Sequence, residues 1–161
     1  AYCDTDEQLA AVTTRYRTFQ RAAHDRLTTA FPGTLEVLGS LAASGHPMGI
    51  VTSKSNEMMN RALDLTGIAP YMATKIGCDS CAIHKPDPFP VRMALDELGY
   101  EASEAIFVGD SPHDLDMARA AGAGRAIGVL TGVSLREVLS LHADLVLESI
   151  ADLETALELP V

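Results

Sequence analysis

Tryptophan is absent from the 161 residues, and only four Phe and four Tyr are present. A core must therefore be filled by Leu, Val, Ile, Met and Ala. Cations are scarce as well: 12 Lys and Arg stand against 22 Asp and Glu, a net charge of −10. An acidic surface repels phosphate backbones and anionic lipid, so nucleic acid and membranes are poor partners on charge grounds. A small phosphate is not barred, because a local cation and a Lys can invert the potential inside one pocket. Cysteine is limited to Cys3, Cys78 and Cys81. That is not an even disulfide framework, and a chain of this length does not need one. No apolar run reaches transmembrane length. The start, Ala-Tyr-Cys-Asp-Thr-Asp-Glu, has no basic stretch leading into an apolar one, so no secretory leader is expected. A reducing cytoplasm is the expected location.

The rest of the composition is that of a globular chain, 47% hydrophobic and 21% charged, long enough for one domain with a core. Residues Thr5 to Thr29 read as an amphipathic helix. Leu9, Val12, Tyr16, Phe19 and Ala23 recur at spacings of three and four, and Thr5 with Gln8 fits a capping box. Pro32-Gly33 breaks the pattern. The chain then alternates. A short helix over Leu35, Leu38 and Leu41, stopped near Gly45, leads to a strand at Met48–Val51. A helix capped by Ser55 and ended by Gly67 follows. Next come a helix from Phe89 to Leu98 and a strand at Ala105–Val108. A helix from Pro112 to Ala121, stopped by Gly122, leads to a strand at Ala126–Leu130. A helix from Ser134 to Leu141, a strand at Asp144–Leu147 and a helix from Ile150 to Leu157 close the pattern. Strands without in/out alternation, each followed by a helix, imply an α/β fold: a Rossmann-like parallel sheet flanked by helices on both faces. Ligands of such folds sit at the C-terminal ends of the strands.

Polar groups stand at those ends. Val51 is followed by Thr52-Ser53-Lys54, and Val108 by Gly109-Asp110-Ser111-Pro112-His113-Asp114. Between them lies His84-Lys85-Pro86-Asp87-Pro88. The set suits phosphoryl transfer. Thr52 and Ser53 offer hydroxyls, and the backbone there offers N–H groups beside a helix start. Lys85 supplies a point positive charge. Asp110 can ligate Mg2+, which prefers oxygen donors, and Asp114 can ligate it or hold a ligating water. Gly109 lets the backbone turn close to the metal.

In order and context these segments resemble motifs II, III and IV of the haloacid dehalogenase-like superfamily: Thr52, then Lys85 in Lys-Pro-Asp-Pro, then the acidic pair Asp110 and Asp114. Phe-Pro-Gly-Thr-Leu-Glu-Val-Leu and Gly-Ile-Val-Thr-Ser-Lys are similar to the phosphoglycolate phosphatase-like branch. The same holds for Val-Gly-Asp-Ser-Pro-His-Asp-Leu-Asp-Met-Ala-Arg-Ala-Ala-Gly-Ala. The resemblance implies that residues 1–31 are the C-terminal part of a helical cap and residues 32–161 the α/β core. It implies a Mg2+-dependent phosphatase of a small phosphorylated metabolite, working through an aspartyl-phosphate. Thr52, Ser53 and Lys85 would bind phosphate, with Thr52, Lys85 and Asp110 in the catalytic set and Asp110 and Asp114 at the metal.

One departure stands out. The family's motif I is an apolar strand ending in Asp-x-Asp-Gly-Thr, whose first Asp is the nucleophile. Asp4-Thr5-Asp6 is an Asp-x-Asp, but three residues precede it, Glu7-Gln8 replaces Gly-Thr, and a helix follows at once. These acids read as helix N-terminal charges favoured by the dipole. The family places the motif I strand between those carrying motifs II and IV, so without it the sheet has two raw edges. The resemblance therefore implies a nucleophile upstream of Ala1. The alternatives are a catalytically incomplete piece that binds phosphate or a partner, and, less favoured, a sugar phosphomutase. Cys78-x-x-Cys81 with His84 nearby leaves zinc, a reversible disulfide and idle thiols open. His24, His46 and His142 are expected at the surface.

Overall fold

The computed structural model describes residues 5–157. Helix α1 (Asp6–Leu27) starts where Thr5 Oγ1 accepts the Gln8 N–H at 3.2 Å. After Pro32-Gly33 come α2 (Thr34–Ala43), β1 (Met48–Val51), α3 (Asn56–Thr66), β2 (Met72–Ile76) and α4 (Phe89–Leu98). Then follow β3 (Ile106–Gly109), α5 (Pro112–Ala121), β4 (Arg125–Val129), α6 (Arg136–Leu139), β5 (Leu145–Leu147) and α7 (Leu153–Leu157). Helices α3, α4 and α5 stop at Gly67, Gly99 and Gly122, each at positive φ, which closes the last turn without the steric cost a Cβ would bring.

Every strand pairing is parallel, as expected, but the strands form two sheets rather than one. β1 pairs with β2, and β3, β4 and β5 lie side by side in that order. The second edges of β1 and β3 pair with no described strand. Side chains join the two sheets instead. α4 packs on β1 and β2, α5 packs on β3 and β4, and the two helices pack on each other. Val51 of β1 and Phe107 of β3 both lie on the cluster Val91, Leu95, Met117 and Ala121. On the opposite face Met48 and Val108 share Leu41, Ile127, Val129, Leu147 and Leu153. Apolar burial on both faces thus keeps β1 and β3 in one layer without a backbone ladder between them.

Strand β2 was not foreseen. Met-Ala-Thr-Lys-Ile lacks both alternation and a run of β-branched residues. Its place comes from tertiary packing: Thr74 and Ile76 are buried, and the Thr74 hydroxyl donates to the Glu97 carboxylate.

The apolar stripe of α1 exists but is not packed. Leu9, Val12, Tyr16 and Phe19 are 55–73% exposed. The helix is held to α3 by its other side. Arg21 pairs with Glu57 at 2.9 Å, and the Arg61 guanidinium donates two bonds, 2.6 and 2.5 Å, to Asp25. His24, expected at the surface, is buried instead, beside the Asp25 that pairs with Arg61 of α3.

Candidate active site

Thr52 continues β1 by one further bond, its N–H donating to the Ile76 carbonyl at 2.9 Å. The chain then turns, with Thr52 Oγ1 accepting the Lys54 N–H at 3.3 Å. Ser55 caps α3, its Oγ accepting the Met58 N–H. Ser53 and Lys54 are exposed and Thr52 is half-buried.

Lys85 reaches this end from the loop before α4. Its Nζ donates to the Val51 carbonyl at 2.9 Å and to Asp114 Oδ1 at 2.6 Å. Its side chain is 16% exposed and that of Asp114 12%. Asp87 turns the chain into α4 by accepting the Phe89 N–H at 2.9 Å.

The third segment leaves β3. Ser111 caps α5, accepting the Asp114 N–H, and its hydroxyl donates to Asp114 Oδ2 at 2.7 Å. Burial pushes the Asp114 carboxyl up, but hydrogen bonds from Lys85 and Ser111 and the Lys85 charge outweigh it and hold the carboxyl below its ordinary value. Asp110 differs. It is half-buried, and no described residue donates to its carboxylate.

Two glycines shape the pair of acids. A Cβ on Gly109 would stand 2.5 Å from the Asp114 Cβ, and one on Gly132 would stand 2.5 Å from both Cβ and Cγ of Asp110. Both positions exclude any side chain while the carboxylates stay where they are. Gly132 lies just past β4 and was not singled out in the sequence. Sequence reasoning also missed Asn56 and Asp79. The Asp79 carboxylate accepts the Asn56 N–H at 2.7 Å, and Asn56 Oδ1 accepts from Gly77 N–H and Ser80 Oγ at 3.1 and 3.0 Å. These bonds clamp the loop after β2 to the start of α3. No local pattern signals a pairing 23 residues apart.

A cavity of about 360 Å³ opens beside Thr52, Ser53 and Lys85, with Val51, Ile76, Gly77, Cys78, Cys81, Ile83, His84 and Pro90 completing its wall. Cys78 and Cys81 are free thiols. Among the described residues no three His, Cys, Asp or Glu side chains are grouped to hold a metal. Asp110 is thus the free hard oxygen donor among them, while both Asp114 oxygens already accept, from Lys85 and Ser111. That set fits Mg2+, which is commonly held by one or two carboxylates with water and substrate phosphate filling the rest.

The structure brings together the residues singled out at the strand ends: Lys85 bridges the end of β1 to Asp114, and Thr52 and Ser53 share a cavity with Lys85. His113 is exposed, and nothing described gives it a role at the site. Asp4 lies outside the described residues, and Asp6 is in the first turn of α1. No helix of the described residues is long and apolar enough to cross a membrane.

Residues 2–128 match the haloacid dehalogenase-like hydrolase family. The pyrophosphatase PpaX of Bacillus velezensis is 40% identical over 139 residues, 86% of this chain and 64% of that protein. The phosphoglycolate phosphatase of Yersinia pseudotuberculosis is 40% identical over 131 residues, 81% of this chain and 56% of that protein. The chain thus spans less than two thirds of the length of these relatives. The crystal structure of a HAD phosphatase from Thermococcus onnurineus superposes with a TM-score of 0.70 at 29% identity, over 80% of this chain and 58% of that one. A haloacid dehalogenase-like protein from Agrobacterium tumefaciens shares the fold with a TM-score of 0.80, over 92% of this chain and 69% of that one. On the family match and these identities, with Thr52, Lys85, Asp110 and Asp114 in motif order, the chain belongs to the haloacid dehalogenase-like hydrolases.

Proposed function

We propose that the chain is the larger part of a Mg2+-dependent phosphatase of small phosphorylated metabolites, whose nucleophilic Asp lies upstream of Ala1. The observation that carries this reading is a pair of strand edges, on β1 and β3, with which no described strand pairs. They lie in one layer between shared apolar clusters, and Thr52 and Asp110 follow their C-terminal ends. A parallel strand between them would satisfy both edges and deliver its C-terminal residue to Thr52, Lys85 and Asp110.

The chemistry then runs in two displacements. The upstream carboxylate attacks phosphorus, a P–O bond to it forms, and the bond to the leaving oxygen breaks. The leaving oxygen takes a proton from a second acid of the same segment. Water, deprotonated by that acid, attacks the acyl-phosphate, releases inorganic phosphate and restores the carboxylate. Thr52 and the N–H groups that follow it orient the phosphoryl oxygens, with Ser53 beside them. Lys85 offsets the negative charge that gathers on the transferring group. Asp114 holds the Lys85 ammonium in place, and Asp110 would be the direct ligand of Mg2+. Mg2+ bound there would supply further charge stabilisation for the transferring group.

Residues 1–31 would belong to a helical cap over residues 32–161, since the apolar stripe of α1 awaits further helical surface while its polar side is fixed to α3. A cytoplasmic setting suits the free Cys78 and Cys81. The named activities of the two relatives place a phosphoanhydride and phosphate monoesters on the same test panel.

The test is phosphate release by protein that includes the residues encoded upstream of Ala1, with and without Mg2+, on pyrophosphate and a set of small phosphate monoesters. Mg2+-dependent release, lost in Asp110→Asn and Lys85→Ala, supports the reading. A second reading, phosphate binding without turnover, is favoured by one fact: both Asp114 carboxylate oxygens already accept hydrogen bonds, from Lys85 and Ser111, so that acid is not free to act as a nucleophile. Phosphate binding with no release from any substrate would replace the first reading by the second.

A further inference from the structure

The cavity beside Thr52 and Lys85 carries two groups that the proposed chemistry does not use, the half-buried free thiols of Cys78 and Cys81. Their loop is tied to both arms of the phosphate end. On one arm the Cys78 N–H donates to the Lys54 carbonyl at 2.8 Å, and the Asp79 carboxylate holds the Asn56 N–H at the start of α3. On the other arm the Cys81 thiol donates to the Ile83 carbonyl at 3.0 Å, two residues before Lys85. Cys78 is the second residue of a turn, Gly77 to Ser80, closed by the Ser80 N–H on the Gly77 carbonyl at 3.1 Å, and Cys81 follows that turn directly. A disulfide needs Cα atoms within about 7 Å of each other, and a chain that turns at Cys78 and Asp79 brings Cys81 nearer to Cys78 than an extended tetrapeptide would.

We propose that Cys78 and Cys81 are a thiol pair oxidised by hydroperoxides, and that their disulfide loosens the loops carrying Thr52 and Lys85 and weakens phosphate binding there. The last clause rests on the proposed phosphate site; the oxidation and the loosening do not. One thiolate attacks the peroxide, whose O–O bond breaks, leaving a sulfenic acid. The second thiolate attacks that sulfur, the S–S bond forms, and the oxygen leaves as water. With hydrogen peroxide the balance is two thiols and one peroxide to one disulfide and two waters. The bridged Cys81 has no S–H, so the bond to Ile83 is lost, and closure pulls the Cys78 end against its anchors on Lys54 and Asn56.

The experiment uses protein with the upstream residues and a Cys3→Ser background, treated with hydrogen peroxide. The expected results are a mass loss of two hydrogens in the peptide spanning residues 78–81 and faster amide exchange in segments 52–56 and 83–85. The dissociation constant for inorganic phosphate should rise about tenfold, a typical coupling between sites. Dithiothreitol should reverse all three, and Cys78→Ser or Cys81→Ser should each abolish them. Oxidation that only adds oxygen to single thiols overturns the proposal, as does a bridge that leaves amide exchange unchanged. A bridge with faster exchange and unchanged phosphate affinity overturns its coupling to the site. If the reduced protein binds no phosphate, the site reading fails, and mass and exchange still decide whether the pair governs the loops.

Discussion

The Lys85 ammonium lies 2.6 Å from Asp114 Oδ1 and 2.9 Å from the Val51 carbonyl, so one side chain ties the α4 loop, the end of β1 and the start of α5 together. Removing the acid leaves a mostly buried cation with one neutral partner. Asp114→Asn should cost on the order of 2–3 kcal/mol, somewhat below the range for fully buried pairs, because both side chains keep some water contact. Urea unfolding measures it. A cost within the scatter of ordinary surface substitutions would mean that the pair does not hold these elements together.

The pH dependence of that pair has a definite sign. The Asp114 carboxyl is held below its unfolded value of 3.8. Its contribution is therefore full above that value and fades as pH falls through the lower folded value. The stability gap between the native chain and Asp114→Asn should stay flat from neutral pH down to about 5 and close only in stronger acid. A gap that closes near neutrality would contradict the assignment. Asp25, lowered to about 2 chiefly by its hydrogen bond from Arg61, has the same sign. Being exposed, it should respond to salt, whereas Asp114 should respond little.

Gly132 is expected to matter through Asp110. The missing Cβ would stand 2.5 Å from the Asp110 Cβ and Cγ, atoms too near the backbone to swing away. Gly132→Ala should therefore move the carboxylate and weaken Mg2+ or Mn2+ binding by about tenfold, a shift of about 1.4 kcal/mol. Calorimetric titration reads it directly. Gly39→Ala is the control. Gly39 lies inside α2, and its added methyl meets only the Tyr71 Oη at 3.7 Å. That change should stabilise by about 0.5–1 kcal/mol through helix propensity and leave metal affinity alone.

Asn56 carries the clamp between the loop after β2 and α3. Asn56→Ala removes the acceptor for both Gly77 N–H and Ser80 Oγ. A loss of about 0.5–1.5 kcal/mol is expected, the net worth of a hydrogen bond, since the Gly77 N–H keeps a second acceptor in Ser80 Oγ at 3.1 Å. Amide exchange at 77–80 should rise with it; unchanged exchange would show that the clamp is not held by Asn56.

Much of this was legible because local signals and tertiary fate agreed. Gly67, Gly99 and Gly122 end helices, as their placement after apolar periodic segments foretold. Apolar runs before Thr52 and Gly109 became strands, so Lys85 can join the end of β1 to Asp114 and share a cavity with Thr52. Other features depended on partners distant in sequence. Strand β2 has little strand character in Met72-Ala73-Thr74 and exists by pairing with β1. The expected helix from Ser134 to Leu141 shrank to Arg136–Leu139, because Leu135 is still extended where it caps the turn and Leu141 faces solvent. The expected helix from Ile150 begins as a 3-10 turn, closed by a reciprocal Ser149–Asp152 cap. His24 is buried without any mark of burial in the sequence around it.

The most direct measurement on the proposed chemistry is the site of the phosphoryl-enzyme. Protein that includes the upstream residues would be mixed with Mg2+ and a substrate it turns over, quenched in acid and mapped by peptide mass. An acyl-phosphate on an Asp upstream of Ala1, accumulating less in Lys85→Ala, is the expected result. Turnover with the phosphoryl group on a residue between 5 and 157, or with no covalent intermediate under trapping conditions, would contradict the strand slot between β1 and β3 as the seat of the nucleophile.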